Sequence, residues 1–251
     1  MRAKNISCAA LLALSCTLAG QAVAQNYMVP AGTAAYIRAA VESDERSEEM
    51  RARDAARKPA EILTLSGVKP GDHVIEIAGF GQYYTTMLSA IVGESGRVGM
   101  YDLPYTGARA GAASAAFVAE HANTQYYLAN YNDVVFPNNV DVVFNVLYYH
   151  DLGLQDVDRA AMNRKLFAAL KSGGRYVIID HKAEDGSAWR DTESLHRMGA
   201  ETIVEEVTAA GFRLTVNSDL LANPEDDRKS MVFAPGTRGA TDRAVFVFTK
   251  P

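Results

Sequence analysis

The chain has 251 residues, 48% apolar and 22% charged, enough apolar content for a substantial core; a disordered polyelectrolyte and a collagen-like repeat are excluded. Lys and Arg number 25 against 30 Asp and Glu, a formal charge of −5 with no basic block. That balance argues against nucleic acid or an anionic membrane surface as partner, because cations neutralising phosphates hold both.

Arg2 and Lys4 precede an apolar stretch from Ile6 to Leu18, and Ala22-Val23-Ala24 has the small-x-small form of a cleavage site. This predicts a secretory signal peptide over residues 1–24 and a periplasmic or secreted mature protein. The apolar stretch is short for a transmembrane helix, so no stable membrane insertion is expected after cleavage. A lipoprotein with Cys16 at its start is a weaker reading, since Ala13 stands where leucine is usual. Cys8 and Cys16, the only cysteines, leave with the peptide, which excludes disulfides, thiolate chemistry and cysteine-ligated zinc.

Residues 25–58 read as a polar helical segment, either a solvated helix packed on the domain or a flap over a pocket. From Pro59 to Pro251 strands and helices alternate without a central linker, which predicts one domain over 59–251. Val74–Ile77 is a short apolar strand, and Tyr84, Met87, Leu88, Ile91 and Val92 then repeat on one helical face. Arg97–Tyr101, Thr124–Leu128 and Val140–Leu147 read as strands, with an Ala-rich helix over Ala108–His121. Asp156 is placed to cap a helix whose buried face is Met162, Leu166, Ala169 and Leu170, with Lys171-Ser172-Gly173-Gly174 as its stop. Tyr176–Ile179 is a fifth strand, Glu193–Ala210 one further helix, and Phe212–Asn217 and Ala244–Thr249 the last strands. The expected architecture is α/β, a doubly wound, mostly parallel seven-stranded sheet whose ligands bind beyond the carboxyl ends of the strands.

The run Val68-Lys69-Pro70-Gly71-Asp72, Glu76-Ile77 and Gly81-Gln82-Tyr83-Tyr84-Thr85 is followed by Tyr149-His150-Asp151 and Asp180-His181. Leu195-His196-Arg197, Asn223-Pro224-Glu225-Asp226, Arg238-Gly239 and Thr241-Asp242-Arg243 complete the order. In this order the chain from about Lys58 resembles a class I S-adenosylmethionine-dependent methyltransferase, and more narrowly the exported methyltransferases predicted in bacteria. The resemblance implies a Rossmann-like methyltransferase fold with a C-terminal antiparallel strand, S-adenosylmethionine as cofactor and a small-molecule substrate. It places the cofactor at Glu76, Gly79, Gly81, Tyr83 and Asp102. Asp102 would hold the ribose hydroxyls, and Glu76 would orient the loop and the cofactor's amine.

The loop departs from the family pattern of an acid followed by glycines at alternate positions. Ala78, Phe80 and Gln82 stand in the glycine places, with Gly79 and Gly81 between them. Phe80 could not take a positive φ cheaply. A register-shifted loop that still binds and a loop that has lost the cofactor are both open. If the cofactor is lost, the chain would be a non-catalytic exported binding protein on a degenerate fold.

His150, Asp151 and His181 follow the fourth and fifth strands and are the candidate catalytic groups, with His196 on the next helix within reach. A histidine oriented by an aspartate acts as general base. His150, Asp151, His181 and His196 could also bind a divalent metal, which gives a metal-dependent hydrolase-like activity as a third reading, but no compact spacing such as H-E-x-x-H is present and no metal ligand is assigned. His73 and His121 precede strands and are given no role. In each of the pairs Tyr83-Tyr84, Tyr126-Tyr127 and Tyr148-Tyr149 one ring is expected to enter the core and the other to face out. Tyr83 and Tyr148 are placed to line an aromatic pocket. Ser218 to Arg243 is longer than a hairpin needs, which suits a lid or binding element. Arg238 there is a candidate anion grip, and Arg243 is expected in surface ion pairs with Asp226, Asp227 or Asp242.

Overall fold

The computed structural model describes residues 27–251; the signal peptide expected over 1–24, with Cys8 and Cys16, lies outside the described residues. The 25–58 segment is a set of short helices rather than one: α1 (Ala35–Glu42), α2 (Glu48–Arg51) and α3 (Asp54–Arg57). Ser47 caps α2 by accepting from the Met50 amide. α4 (Pro59–Ser66) follows, with Pro59 in its first turn and Gly67 at φ 66° closing it.

The alternating unit runs β1 (His73–Ile77), α5 (Tyr83–Val92), β2 (Arg97–Asp102), α6 (Pro104–Glu120), β3 (Thr124–Leu128) and β4 (Val140–Val146). It continues through α7 (Tyr149–Leu154), α8 (Arg159–Ala169), β5 (Leu170–His181), α9 (Thr192–Leu195), α10 (Ala200–Ala209), β6 (Arg213–Ser218) and β7 (Arg243–Thr249). The sheet order is β3-β2-β1-β4-β5-β7-β6. β1 to β5 pair in parallel, and β7 is antiparallel to both neighbours, as expected for the C-terminal strand.

Side chains of the inner strands alternate between two cores, one on each sheet face. In β5, Tyr176 and Ile178 enter the core built with α7, α8 and α10, while Val177 and Ile179 enter the core built with α1, α4 and α5. In β7, Phe246 and Phe248 take the first side and Val245 and Val247 the second. This period of two, with both faces covered, is why these strands read as continuous apolar runs. Each large apolar side chain so buried contributes about 1.5–3 kcal/mol.

Three local expectations are corrected. Helix α8 is capped by Asp158, whose side chain accepts from the Ala161 amide; Asp156 sits at φ 53° in the turn before it. Lys171-Ser172-Gly173-Gly174 does not stop a helix but extends β5, Gly173 taking φ 78° near the irregular register between Val140 and Val142. The helix expected over Glu193–Ala210 is broken, because His196 adopts φ 54° and Lys182 bridges to Met198.

Strand order reverses at β1 and β4, where β2 departs to one side and β5 lies on the other. The register sets Ile77 beside Tyr101 and Asn145, and Val146 beside Ile179. The carboxyl ends of β1, β2, β4 and β5 therefore open along one edge, the place where such sheets bind ligands.

Candidate active site

A cavity of about 660 Å³ lies at this edge, within the size range of small-molecule sites. The loop after β1, the ends of β4 and β5 and the start of α6 form its walls. The N-terminal helices contribute Arg53 and Arg57, and the Ser218–Arg243 segment contributes Phe233 and Arg238. Both segments thus help close the cavity, the flap alternative for the first and the binding element expected of the second.

Ala78 and Gln82, in the first and third glycine places, take φ 58° and 46°. Phe80, between them, is not among the positive-φ residues. Its ring is partly exposed and meets Tyr148 edge-on at 6.2 Å. Gly79 and Gly81 both line the cavity. A Cβ on Gly79 would come within 3.3 Å of the Glu76 carboxyl and 3.4 Å of Met100, whereas Gly81 faces open space.

Glu76 is buried, faces the cavity and accepts a 2.5 Å hydrogen bond from Thr85. Burial raises its pKa to about 7 against the lowering effect of Thr85, and the Asp102 carboxylate adds to the rise. Asp102 does not line the cavity. It is wholly enclosed at the end of β2, and neither carboxylate oxygen has a hydrogen-bond partner among the described residues. Burial raises it to about 6, the nearby Tyr126 hydroxyl and the amides of Gly79 and Phe80 lowering it in turn without reaching bonding geometry. Tyr83 borders the cavity but is not a free aromatic face: its hydroxyl donates to Asp54 at 2.6 Å, and three guanidinium groups lie over its ring. Tyr148 does form an aromatic wall with Phe80 and Tyr105, its hydroxyl 2.8 Å from that of Tyr105. Both members of Tyr83-Tyr84 and of Tyr148-Tyr149 are buried, against the expectation of one facing out; in Tyr126-Tyr127 the second ring is exposed.

The histidines converge, and Asp180 joins them. Asp180, wholly buried, accepts from the His150 backbone amide at 2.8 Å and bonds its Nδ1 at 2.6 Å. Asp151 lies 3.2 Å from His150 Nε2 and 3.0 Å from His196 Nδ1. Burial works against charge on His150, but the Asp180 carboxylate and the bonds to Asp151 and Asp180 overcome it and raise its pKa to about 10. Both ring nitrogens of His150 are thus engaged by carboxylates. His181 is buried, with Nδ1 2.8 Å from the Thr241 hydroxyl. Burial, then the charges of His150 and three arginines, hold it well below the usual histidine range. It is therefore a neutral imidazole whose Nε2 has no protein partner among the described residues.

His196 stands at the end of α9, outside the helix expected to carry it, positioned by its neighbour Arg197. The Arg197 guanidinium, buried, pairs bidentately with Asp226 at 2.7 and 2.9 Å and bonds the carbonyls of Lys182 and Ser230. This pair also ties the Ser218–Arg243 segment to the edge. Arg243 makes no surface ion pair: it is buried and bonds the carbonyls of Ala56 and Thr241. Arg53, Arg57, Arg109 and Arg238 line the cavity and form no ion pair with a carboxylate of the described residues. His73 and His121 lie away from it.

No family model matches the chain. It is 30% identical over 126 residues to the ubiquinone/menaquinone biosynthesis C-methyltransferase UbiE of Teredinibacter turnerae, a match of 50% of this chain and 49% of that one. With the UbiE of Escherichia coli O1:K1 it shares 26% over 174 residues, 68% of each chain. The chain spans about half the length of the first of these curated relatives. Among solved structures, geranyl diphosphate C-methyltransferase from Streptomyces coelicolor A3(2) is similar at a TM-score of 0.57 and 16% identity, over 85% of this chain and 89% of that one. That structure was solved in complex with Mg2+, geranyl diphosphate and S-adenosyl-L-homocysteine. The fold is that of the Rossmann-like S-adenosylmethionine-dependent methyltransferases.

Proposed function

We propose that this protein is an S-adenosylmethionine-dependent methyltransferase whose acceptor is a small anionic molecule. The observation that carries the reading is the loop after β1, where Ala78 and Gln82 hold left-handed backbone beside a cavity at the strand-order switch. Such conformations cost about 1–2 kcal/mol each in non-glycine residues, a cost without return unless the loop shape matters. The similarity to the UbiE methyltransferases supports the same reading.

The residues fit the cofactor. Gly79 lets the loop lie close over Glu76, and Asp102 presents two buried oxygens that lack donors. Glu76, Gly79 and Gly81 would line its site; Asp102, enclosed behind the loop, would reach the ribose hydroxyls only with the Gly79–Phe80 segment moved aside. Bound there, the cofactor supplies an electrophilic methyl group on a sulfonium. Arg53, Arg57, Arg109 and Arg238 would bind a carboxylate or phosphate of the acceptor and fix its orientation, the main need of an in-line transfer. His181, neutral, would receive the acceptor's proton at Nε2, while Thr241 fixes its ring.

Thermal shift of the mature protein with S-adenosylmethionine and S-adenosylhomocysteine tests this. Ligand at 100 times its Kd stabilises by about 2.7 kcal/mol. No shift at millimolar ligand would overturn the proposal. That result would favour a non-catalytic binding protein, the reading to which the seclusion of Asp102 from the cavity lends weight. Incubation with methyl-labelled cofactor and pooled small carboxylates and phosphates then seeks the acceptor.

If residues 1–24 direct export, as their pattern implies, the cofactor has to reach the protein outside the cytoplasm where it is made. A periplasmic supply of S-adenosylmethionine is therefore part of this reading.

A further inference from the structure

At the rim of the cavity three potential metal-ligating atoms meet. His150 Nε2, Asp151 Oδ1 and His196 Nδ1 all lie within 4.8 Å of one another. They come from the start of α7 and the end of α9 and border the same cavity. The separations from the carboxylate oxygen to the two imidazole nitrogens are 3.2 and 3.0 Å. Around an ion with metal–ligand distances of about 2.1 Å these two separations correspond to angles of about 90–100° between the carboxylate oxygen and each imidazole nitrogen, the range of neighbouring ligands.

Two further features belong to a ligand set and not to a surface ion pair. Asp180 bonds His150 Nδ1 from behind at 2.6 Å and so directs Nε2 toward Asp151. A carboxylate holding the far nitrogen of an imidazole fixes the tautomer and raises the basicity of the nitrogen that binds metal. His196 is held at φ 54°, a conformation with a backbone cost, and in it Nδ1 reaches Asp151. Arg197, locked on Asp226, maintains that placement. His181 is excluded as a ligand through its Nδ1, which bonds Thr241.

We propose that His150, Asp151 and His196 bind one divalent first-row transition-metal ion, with Asp180 as the positioning residue for His150. Two imidazoles and one carboxylate suit manganese, iron, cobalt or zinc better than calcium, which prefers oxygen ligands. All three side chains border the cavity, so coordination positions they leave unfilled would be open to water or to an oxygen of a bound anionic molecule. The site stands on geometry alone and does not depend on the methyltransferase reading.

The test uses the full mature chain, stripped with chelator, dialysed and titrated with Co2+ alone. Binding is followed by calorimetry and by the cobalt d–d absorption bands. One equivalent per chain, at a sub-millimolar Kd, is expected. His196→Asn, chosen because Asn tolerates left-handed backbone, removes one ligand and should weaken binding at least tenfold. Asp180→Asn removes no ligand and should weaken it by about 10–100-fold. His121→Ala should leave it unchanged. Circular dichroism of each variant confirms that it is folded. No saturable binding below millimolar Co2+, or equal binding by wild type and His196→Asn, would overturn the proposal.

Discussion

The buried pair Arg46–Asp54 joins the N-terminal helices to the cavity wall, and a double-mutant cycle isolates its role. Arg46 bonds both Asp54 oxygens, at 2.8 and 2.5 Å, and the Val41 carbonyl at 2.6 Å; its side chain is 0% exposed against 7% for Asp54. The Tyr83 hydroxyl donates to the same carboxylate. Asp54→Leu leaves a buried guanidinium with one carbonyl partner, and Arg46→Met leaves a buried carboxylate with one hydroxyl. Each single change should cost about 3–5 kcal/mol, because an uncompensated buried charge remains. The double variant Arg46→Met/Asp54→Leu removes both charges and leaves the Tyr83 hydroxyl and the Val41 carbonyl without partners, at about 1–3 kcal/mol each, losses already present in the single variants. The coupling energy should therefore reach about 3 kcal/mol or more, read from urea midpoints at constant m. Single losses that simply add, within about 0.5 kcal/mol, would refute the view that this pair is one electrostatic unit.

Glu76→Gln tests the buried acid. A carboxyl raised from 4.5 to about 7 is protonated in the folded state while the unfolded chain is already ionised, so stability is highest below 4.5 and falls as pH rises through 7. Glu76→Gln should therefore stabilise the protein by about 2–4 kcal/mol at pH 8 and do little at pH 4, measured by urea denaturation at both values; an equal effect at the two would refute the assignment. At Ala78, φ 58° favours glycine: Ala78→Gly should stay within about 1 kcal/mol of wild type, relief of strain offsetting the greater entropy of the unfolded chain. Ala78→Val should cost more than about 2 kcal/mol, since a branched side chain adds to the left-handed penalty; a neutral Val variant in the same denaturation assay would count against the loop geometry. Amino-terminal sequencing of protein recovered from the periplasm of an expressing bacterium should begin at Gln25, and a mature start at Cys16 would establish the lipoprotein alternative.

What could be read from the residues is what local periodicity decides. β3 falls on Thr124–Leu128 as expected, and β4 differs from its expected span only at Leu147. Unread features depend on distant partners. Gly173 and Gly174 have the composition of a helix stop, but their backbone bonds to Lys250, just beyond β7, carry them into β5. His196 looks helical by spacing, yet the Arg197–Asp226 pair across 29 residues shapes the turn that breaks the helix. Within the site, Glu76, His150, Asp151 and His181, singled out at strand ends, line the cavity. A strand end does not set which way a side chain faces, so Asp102 proved to be enclosed. The sequence leaves open which aspartate orients His150; the sheet register brings Asp180 beneath it. Arg53 and Arg57 lay in a run of mixed charges that resembles any solvated helix. The contacts Asp54–Tyr83 and Ala56–Arg243 turn that run toward the cavity.

The distribution of unfavourable features locates the function better than any one motif. Four of the non-glycine residues with positive φ, Ala78, Gln82, Leu147 and His196, border the same cavity. Two acids nearby, Glu76 and Asp102, have pKa values raised mainly by burial, and Asp102 keeps two oxygens without donors. Four arginines meet there without carboxylate partners among the described residues. The rest of the fold is built differently: apolar side chains alternate regularly between two cores, and Arg46 and Arg197, both fully buried, are paired. Strain, desolvated acids and uncompensated cations each lower stability, and a sequence free to optimise packing alone would not gather all three at one edge. A ligand with donor hydroxyls and an anionic group would relieve the second and third together, so ligand binding and fold stability should be strongly linked in this protein.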